Sequence, residues 1–231
     1  MNTNSDQLHY SLITDIGGTN TRMQLISFTK KTTDPTVIKS HKYSTKEAKS
    51  LSECITDFLK DYKGKPEYPA SAIIALAGAP FEGKVWLANA QHWPVLDEKE
   101  VAKEFEIKHV KFINDFVAIG YSMIEVDLEG IQTLFDVKPV EGATKIVAGA
   151  GTGLGECALL PQTKEGEVIY TVFGTEGGHK NFAPTTQDEW DYLNYCKKED
   201  PFVRDQVGYL STEKAFCGPG IPNIYRFLSK K

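Results

Sequence analysis

The sequence lacks most features that place a chain outside the globular proteins. No apolar run approaches the roughly 20 residues that cross a bilayer, and the first residues show no basic start before an apolar core. The four cysteines stand far apart and none forms a CxxC pair, so we expect reduced core residues and no zinc knuckle or redox site. The net charge of −5 and the lack of long like-charged runs argue against a nucleic-acid surface. We therefore expect a cytoplasmic protein with neither a membrane nor a nucleic-acid partner.

The length of 231 residues exceeds a typical single core of roughly 100–150 residues, so we expect two domains, with one large α/β unit as the alternative. The first half alternates apolar strands with amphipathic helices, which favours βαβ units and a largely parallel sheet. The elements predicted in this half are strands at Ser11–Ile16, Thr21–Phe28, Ala72–Ala77 and Val110–Ile113, and helices at Ser44–Gly64 and Glu98–Phe105.

The first of these helices carries an apolar face of Leu51, Cys54, Ile55, Phe58, Leu59 and Tyr62. We assign its start to Ser44, because Glu47 three residues later completes a capping-box pattern.

The second half begins again with a strand and is joined to the first by a charged, turn-rich connection at Asp127–Gly142. We predict a helix after Thr186, with Glu189 as capping partner and an apolar side of Trp190, Leu193 and Cys196. The strands predicted in this half are Thr144–Ala148, Glu156–Leu160 and Val168–Phe173.

Two glycine-rich turns follow strands and raise the question of what their exposed backbone binds. "TDIGGTN" (14–20) places Asp15 before Gly17, Gly18, Thr19 and Asn20. Glycine lets backbone N–H groups approach a ligand, and a concave set of them binds an anion such as phosphate. Asp15 could then hold Mg²⁺, through water, although a plain hairpin turn explains this segment equally well on its own.

The second turn, "GAGTGLGE" (149–156), presents Gly149, Gly151, Thr152 and Gly153 after an apolar strand. It is not a P-loop, because GxxxxGK[ST] occurs nowhere, and Leu154 stands where the dinucleotide pattern requires its last glycine. Two such turns and an acid favour a nucleotide-kinase cleft, with one turn on each wall.

Two further clusters carry side chains suited to a sugar. Asn114 and Asp115 end an apolar strand, where α/β proteins place their chemistry, so Asp115 is a candidate general base. An ordinary strand-ending turn is the alternative for this pair. Glu176 and His179 flank a Gly-Gly turn and could bind the hydroxyls of a polyol, or else be a fragment of a metal site.

Six motifs taken together resemble the bacterial-type ATP-dependent glucokinases of the hexokinase and actin-like superfamily. In chain order they are "DIGGTN", "NAQHW", "INDF", "GAGTGLGE", "EGGHKNFAP" and "STEKAFCGPGIPNIYRFL", and they span nearly the whole chain. One local departure lies in "AGAPFEGKVWLAN", where the proline and the glycine are displaced by about one residue from the family's pattern.

The resemblance implies the actin-like, ribonuclease-H-like ATPase fold, with a small α/β domain at 1–126 and a large one at 127–231 closing over a cleft. It implies transfer of the γ-phosphate of ATP, with Mg²⁺, to the 6-hydroxyl of glucose, giving glucose 6-phosphate. The choice of glucose and of ATP comes from the resemblance alone, and a homo-oligomer stays open. The roles that it implies are phosphate binding by the two glycine turns, Mg²⁺ binding by Asp15, catalysis by Asp115, and sugar binding by Asn89, Asn114, Asp115, Glu176, His179 and Glu213.

Members of this family continue well beyond the segment at which this chain ends, so we expect an incomplete large domain without the wall of the adenosine pocket. The favoured account is a fragment or a truncated gene product. The alternatives are one part of a split kinase, or a shortened sugar-binding or regulatory relative without kinase activity.

Overall fold

A computed structural model describes residues 7–30, 34–125, 131–138, 140–201, 203–204, 208–218 and 220–230. The chain divides into two compact units, Met1–Ala118 and Ile119–Lys231. The domain boundary that the sequence predicts, between 126 and 127, lies outside the described residues, as does part of the predicted connection at 127–142.

The elements of the first unit are β1 His9–Ile16, β2 Asn20–Phe28, β3 Thr36–Ser44, α1 Leu51–Leu59, β4 Ser71–Leu76, β5 Lys84–Val85, β6 Leu96–Asp97, α2 Glu98–Glu104 and β7 His109–Asn114. The next helix, α3 Asp115–Glu125, begins in the first unit and continues into the second. The first unit is built on a five-stranded sheet with the order β3-β2-β1-β4-β7. β1 is antiparallel to β2, which is antiparallel to β3, whereas β4 and β7 run parallel to β1.

One face of this sheet forms the core of the unit. Alternate side chains of the strands, such as Leu12, Met23 and Ile74, are fully buried in one cluster with Ile55 and Phe58 of α1. Apolar residues at every second position of the strands therefore pack against apolar residues spaced three or four positions apart in the helix. The parallel strands bring the ends of β1, β4 and β7 to one edge of the sheet, which carries the candidate residues of this unit.

The prediction of a helix from Ser44 to Gly64 is wrong at both ends, because α1 spans only Leu51–Leu59. Ser44 is the last residue of β3, and α1 begins at Leu51 with Ser50 as its N-cap. Ser50 Oγ accepts a hydrogen bond from Glu53 N at 3.1 Å, and Glu53 Oε2 accepts one from Lys49 N at 2.6 Å. The Ser-x-x-Glu pattern thus acts six residues later than expected. β3 was not predicted because its side chains are mostly exposed and show no apolar alternation.

The second unit contains the strands β8 Lys145–Ala150, β9 Leu154–Lys164 and β10 Glu167–Thr175, a 3₁₀ turn at Gly177–His179, and the helices α4 Gln187–Glu199, α5 Thr212–Phe216 and α6 Gly220–Ser229. Its three-stranded sheet has the order β10-β9-β8, and both pairings are antiparallel because the strands follow one another through short turns instead of crossover helices. The largely parallel sheet was predicted for the first half, and that prediction is met only in part, since two of the four strand pairings in the five-stranded sheet are parallel and two are antiparallel.

α4 begins as predicted, with a complete capping box between Thr186 and Glu189. Leu193 and Cys196 are buried in a cluster with Tyr192, whereas Trp190 is half exposed and was wrongly placed on the apolar side. All four cysteines are buried and free, which confirms their prediction as reduced core residues. Among the described residues, the helices are too short or too polar to cross a membrane.

Candidate functional site

The first glycine turn joins β1 to β2, and some of its backbone N–H groups are not hydrogen-bonded within the described part of the protein. Gly17 N donates to Asn20 O at 2.9 Å, and Gly17 O accepts from Thr45 Oγ1 at 2.8 Å. In the described part of the chain, the N–H groups of Gly18 and Thr19 have no protein acceptor. A turn with unpaired amides at its tip is suited to bind an anion.

Asp15 lies at the end of β1, directly opposite Arg22 on β2. Arg22 Nη1 donates to Asp15 Oδ2 at 3.1 Å, and both side chains are at least half exposed. No group of three or more His, Cys, Asp or Glu side chains gathers at one point within the described ranges. Asp15 alone would leave most of a metal's ligand positions to water and to substrate, an arrangement that Mg²⁺ tolerates.

Asn114 is the last residue of β7, and its side chain forms hydrogen bonds with the segment after β4 and with the start of α3. Its Nδ2 donates to Gly78 O at 3.1 Å, while its Oδ1 accepts from Phe116 N at 2.9 Å and from Val117 N at 3.2 Å. The side chain therefore caps the start of α3, a role that the sequence-based prediction of a sugar ligand did not include. A side-chain hydrogen bond from Asn114 also lowers the pKa of the neighbouring Asp115, against the stronger effect of burial.

Asp115 is the first residue of α3 and is partly buried. Burial raises the pKa of its carboxyl group above the usual range, and the negative charge of Asp15 raises this pKa further. A backbone hydrogen bond from Phe116 N at 2.9 Å opposes this shift without cancelling it. A carboxylate with a raised pKa at the end of a parallel strand has the properties of a general base.

Asn89 belongs to an exposed loop that packs against the first glycine turn. A β-carbon at Gly18 would lie 3.0 Å from Cβ of Asn89 and 3.3 Å from its Nδ2. A side chain at position 18 is therefore disfavoured by the close approach of Asn89, and not by the backbone, because the φ of Gly18 does not lie in the left-handed region.

The second glycine turn, 151–153, joins β8 to β9, and Gly149 lies within β8, paired with Gly155. Gly151 N donates to Gly153 O, and Gly218 N donates to Gly151 O, each at 2.8 Å. Across the described residues, the N–H groups of Thr152 and Gly153 have no protein acceptor. A β-carbon at Gly151 would have no atom of the described residues within 4 Å, so this side of the turn has open space next to it.

Glu213, in the first turn of α5, holds the end of this glycine turn. Its Oε2 accepts from Leu154 N at 2.9 Å, and the same oxygen fills the space in which a β-carbon of Gly153 would lie. This bond uses one carboxylate oxygen and leaves Oε1 for a ligand.

Glu176 precedes the 3₁₀ turn and His179 is its last residue. His179 Nε2 lies 3.4 Å from Glu176 Oε2, and both side chains are largely exposed. The turn lies against the second glycine turn, because a β-carbon at Gly178 would overlap Leu154 O. Lys180 O accepts from Thr212 N at 2.8 Å and from Thr212 Oγ1 at 3.2 Å, which ties this segment to the start of α5. Three candidate sugar residues of the second unit are thus gathered around Leu154.

Sequence reasoning missed two residues that touch the first glycine turn and its acid. Arg22 follows the "DIGGTN" motif by two positions, and its cross-strand place opposite Asp15 follows from the hairpin register. Thr45 lies outside every motif, and only the pairing of β2 with β3 brings it to Gly17.

Two depressions of the first unit lie on the face of the sheet opposite its core. One, of about 830 Å³, includes Ile13, Ile73 and Val110 and lies away from the carboxyl ends of β1, β4 and β7. The other, of about 650 Å³, reaches Asp15 and Arg22. Only the second borders the candidate residues.

A sequence model of one protein family, described as glucokinase, matches residues 12–231. The chain belongs to the glucokinase family. It is 34% identical over 221 residues to a glucokinase of Synechocystis sp., a match that covers 93% of this chain and 59% of that protein. It is 30% identical over 221 residues to a glucokinase of Escherichia coli O1:K1, with 96% of this chain and 63% of that protein covered. The chain therefore spans about three fifths of the length of these relatives.

Comparison with solved structures gives the fold, and both structures described next are glucokinases. The glucokinase of an Antarctic psychrotroph superposes with a TM-score of 0.74 at 28% identity, over 97% of this chain and 65% of that one. A glucokinase of Balamuthia mandrillaris, solved in complex with glucose, superposes with a TM-score of 0.72 at 22% identity, over 99% and 64%. The second likeness is one of fold alone. Together they confirm the α/β, actin-like fold that the motifs predict.

Proposed function

We propose that the chain takes part in the transfer of the γ-phosphate of ATP to the 6-hydroxyl of glucose. The observation that carries this proposal is Asp115, a partly buried carboxylate whose pKa is raised, in the same unit as a glycine turn with unpaired amides. Family membership supports the reaction class, and ATP and glucose as partners rest on it.

Asp115 is the proposed base. As the glucose 6-oxygen attacks phosphorus, its proton passes to the Asp115 carboxylate, and the bond from the γ-phosphorus to the bridging oxygen of ADP breaks. The raised pKa suits this step, because proton transfer is most effective when the pKa of the base lies near the working pH.

The glycine turns are proposed to hold the phosphates of ATP through the amides of Gly18, Thr19, Thr152 and Gly153. Fixed N–H dipoles stabilise the charge on phosphoryl oxygens without reorganising during the reaction. Mg²⁺, when bound, would neutralise the charge of the β- and γ-phosphates, and Asp15 is the residue proposed to hold it through water. The half-exposed Asp15 carboxylate, with Oδ1 outside the Arg22 contact, fits that role.

Sugar binding is proposed for Asn89, Asn114, Asp115, Glu176, His179 and Glu213. Asn114 and Glu213 each spend part of their hydrogen-bonding capacity on the backbone, at α3 and at Leu154. Both side chains are thereby held in a fixed direction, which favours selective recognition of hydroxyl groups, and Glu213 keeps Oε1 as an acceptor. The cytoplasmic location remains a prediction from the sequence.

A second function, glucose binding without phosphoryl transfer, is favoured by one finding. The chain spans 59% and 63% of the two curated relatives. If part of the nucleotide pocket comes from the regions of those relatives that lie outside the match, residues 1–231 could bind sugar without turnover.

Calorimetry with glucose and with a non-hydrolysable MgATP analogue, beside a coupled assay for ADP, separates the two functions. For the kinase we expect both ligands to bind, and Asp115→Asn to abolish turnover while glucose still binds. The matched control is Asp57→Asn, an exposed carboxylate of the same unit that bonds Tyr43 and Lys60. Glucose binding without turnover in the unaltered chain supports the second function, and binding of neither ligand contradicts both.

A further inference from the structure

Two buried threonines lie behind the first glycine turn. Thr21 and Thr45 have no exposed surface, and their Oγ1 atoms are 2.9 Å apart. Thr45 Oγ1 also lies 2.8 Å from Gly17 O, to which it donates. A hydroxyl has one proton, so the proton between the two threonines must come from Thr21. The hydrogen bonds therefore run in one direction, from Thr21 to Thr45 to Gly17.

This chain of bonds fixes a peptide plane of the turn. In a planar trans peptide the C=O of one residue and the N–H of the next point in opposite directions. Because Thr45 holds Gly17 O from the buried side, Gly18 N–H points away from the interior. Thr45 N also donates to Thr19 O at 3.0 Å, so Asn20 N–H is turned away from Thr45 in the same manner.

The turn needs such a restraint. Between Gly17 and Asn20 the described contacts contain one backbone hydrogen bond, from Gly17 N, and Gly17 O is bonded to Thr45 instead of to Asn20 N. The bond from Thr45 N restrains Thr19 O, but among these contacts the Gly17–Gly18 peptide itself is oriented only by the bond to Gly17 O. Without that bond this peptide would sample more orientations, because glycine has the widest conformational range. Anion binding by amides is strongest when their directions are set before the anion arrives.

We propose that Thr45 is a positioning residue of the first glycine turn. Its hydroxyl, polarised by Thr21, orients the Gly17–Gly18 peptide so that the Gly18 amide is presented to a phosphoryl oxygen. Thr45 touches no substrate itself. The inference rests on the proposed function for the identity of the ligand, and on geometry alone for the restraint.

The test compares Thr45→Val with Thr45→Ser. Valine keeps the shape of threonine and removes the hydroxyl, whereas serine keeps the hydroxyl. The matched control is Thr14→Val, because Thr14 is also a buried threonine of this unit, 1% exposed, and its Oγ1 has no partner among the described residues. Three quantities are measured: the Kd of the MgATP analogue, the Kd of glucose, and the NMR order parameter of the Gly18 amide in the unliganded protein.

For Thr45→Val we expect the Kd of the MgATP analogue to rise about fivefold to tenfold, the factor that corresponds to one neutral hydrogen bond. The glucose Kd should stay within twofold, and the Gly18 order parameter should fall from about 0.85 toward 0.6. Thr45→Ser and Thr14→Val should match the unaltered chain in all three measurements. A Thr45→Val protein with unchanged Kd and order parameter overturns the proposal, and so does a Thr45→Ser protein that behaves like valine.

The two proposals fail in different ways. If the unaltered chain does not bind the MgATP analogue, phosphate binding by this turn is contradicted, and the order parameter alone then decides the restraint. If Thr45→Val is not recovered folded, Thr21→Val replaces it. That variant keeps the bond to Gly17 and removes the donor to Thr45, so a smaller fall in the order parameter is expected, and no fall overturns the proposal.

Discussion

A methyl group at Gly153 would occupy the space that the Glu213 carboxylate now fills, so Gly153→Ala tests how the second glycine turn is held. The overlapping atom is the end of a flexible side chain, and the φ of Gly153 lies outside the left-handed region. The carboxylate can therefore swing away, and the main cost is the loss of its 2.9 Å hydrogen bond from Leu154 N.

The size of the effect follows from that single bond. A hydrogen bond to a charged group contributes about 1.5–3 kcal/mol, and partial exposure of this one favours the lower end. Replacing glycine by alanine also stabilises by about 0.4–1 kcal/mol through the unfolded chain. Gly151→Ala has the second effect without the first, because a β-carbon there meets nothing within 4 Å. We therefore expect Gly153→Ala to be about 1.5 kcal/mol less stable than Gly151→Ala.

Urea unfolding of both variants, followed by far-UV circular dichroism, measures this difference directly. The displaced Glu213 should also weaken glucose binding in Gly153→Ala, since the carboxylate no longer points in a fixed direction, whereas Gly151→Ala should keep its glucose affinity. Equal stability of the two variants would refute the assignment of the Glu213–Leu154 bond as the restraint on this turn.

Three further expectations concern single side chains. Asp115→Asn should lower kcat by about 10²–10⁴ while glucose still binds, and normal turnover would remove Asp115 as the base. The raised pKa of Asp115 means that the folded state disfavours its ionised form, so stability falls as pH rises through the raised pKa. Thermal melts at pH 7 should accordingly place Asp115→Asn above the unaltered chain, and kcat/KM should fall as pH drops through the same pKa. Glu176→Gln should raise the glucose KM about tenfold, more than it lowers kcat, because a charged acceptor is lost next to His179, and an unchanged KM would take Glu176 out of the sugar site. Thr186→Ala should cost about 1 kcal/mol of stability in urea by removing the cap of α4 while leaving glucose affinity unchanged, and no loss would contradict the capping box with Glu189.

Local patterns predicted elements that bury a regular apolar face. β1, β2, β4, β7 and α2 lie within one or two residues of their predicted bounds, because alternation or helical spacing marks each of them. β3 has mostly exposed side chains, so it shows no such pattern, and its last residue, Ser44, was included in the predicted helix instead. An edge strand is held by backbone pairing to β2, and backbone groups are the same in every residue type.

For the candidate site, local sequence was enough to predict the residue types: the two glycine turns, Asp15, Asn114 with Asp115, and Glu176 with His179. Each set stands close together in the chain, next to a strand with a clear apolar pattern. Which backbone groups the side chains bond, as with Glu213 on Leu154 and Thr45 on Gly17, follows from the folded structure. The partners in these two contacts are 59 and 28 residues apart in the chain. Strand pairing and helix packing bring them together, and neither produces a pattern in the local sequence from which the contact could be predicted.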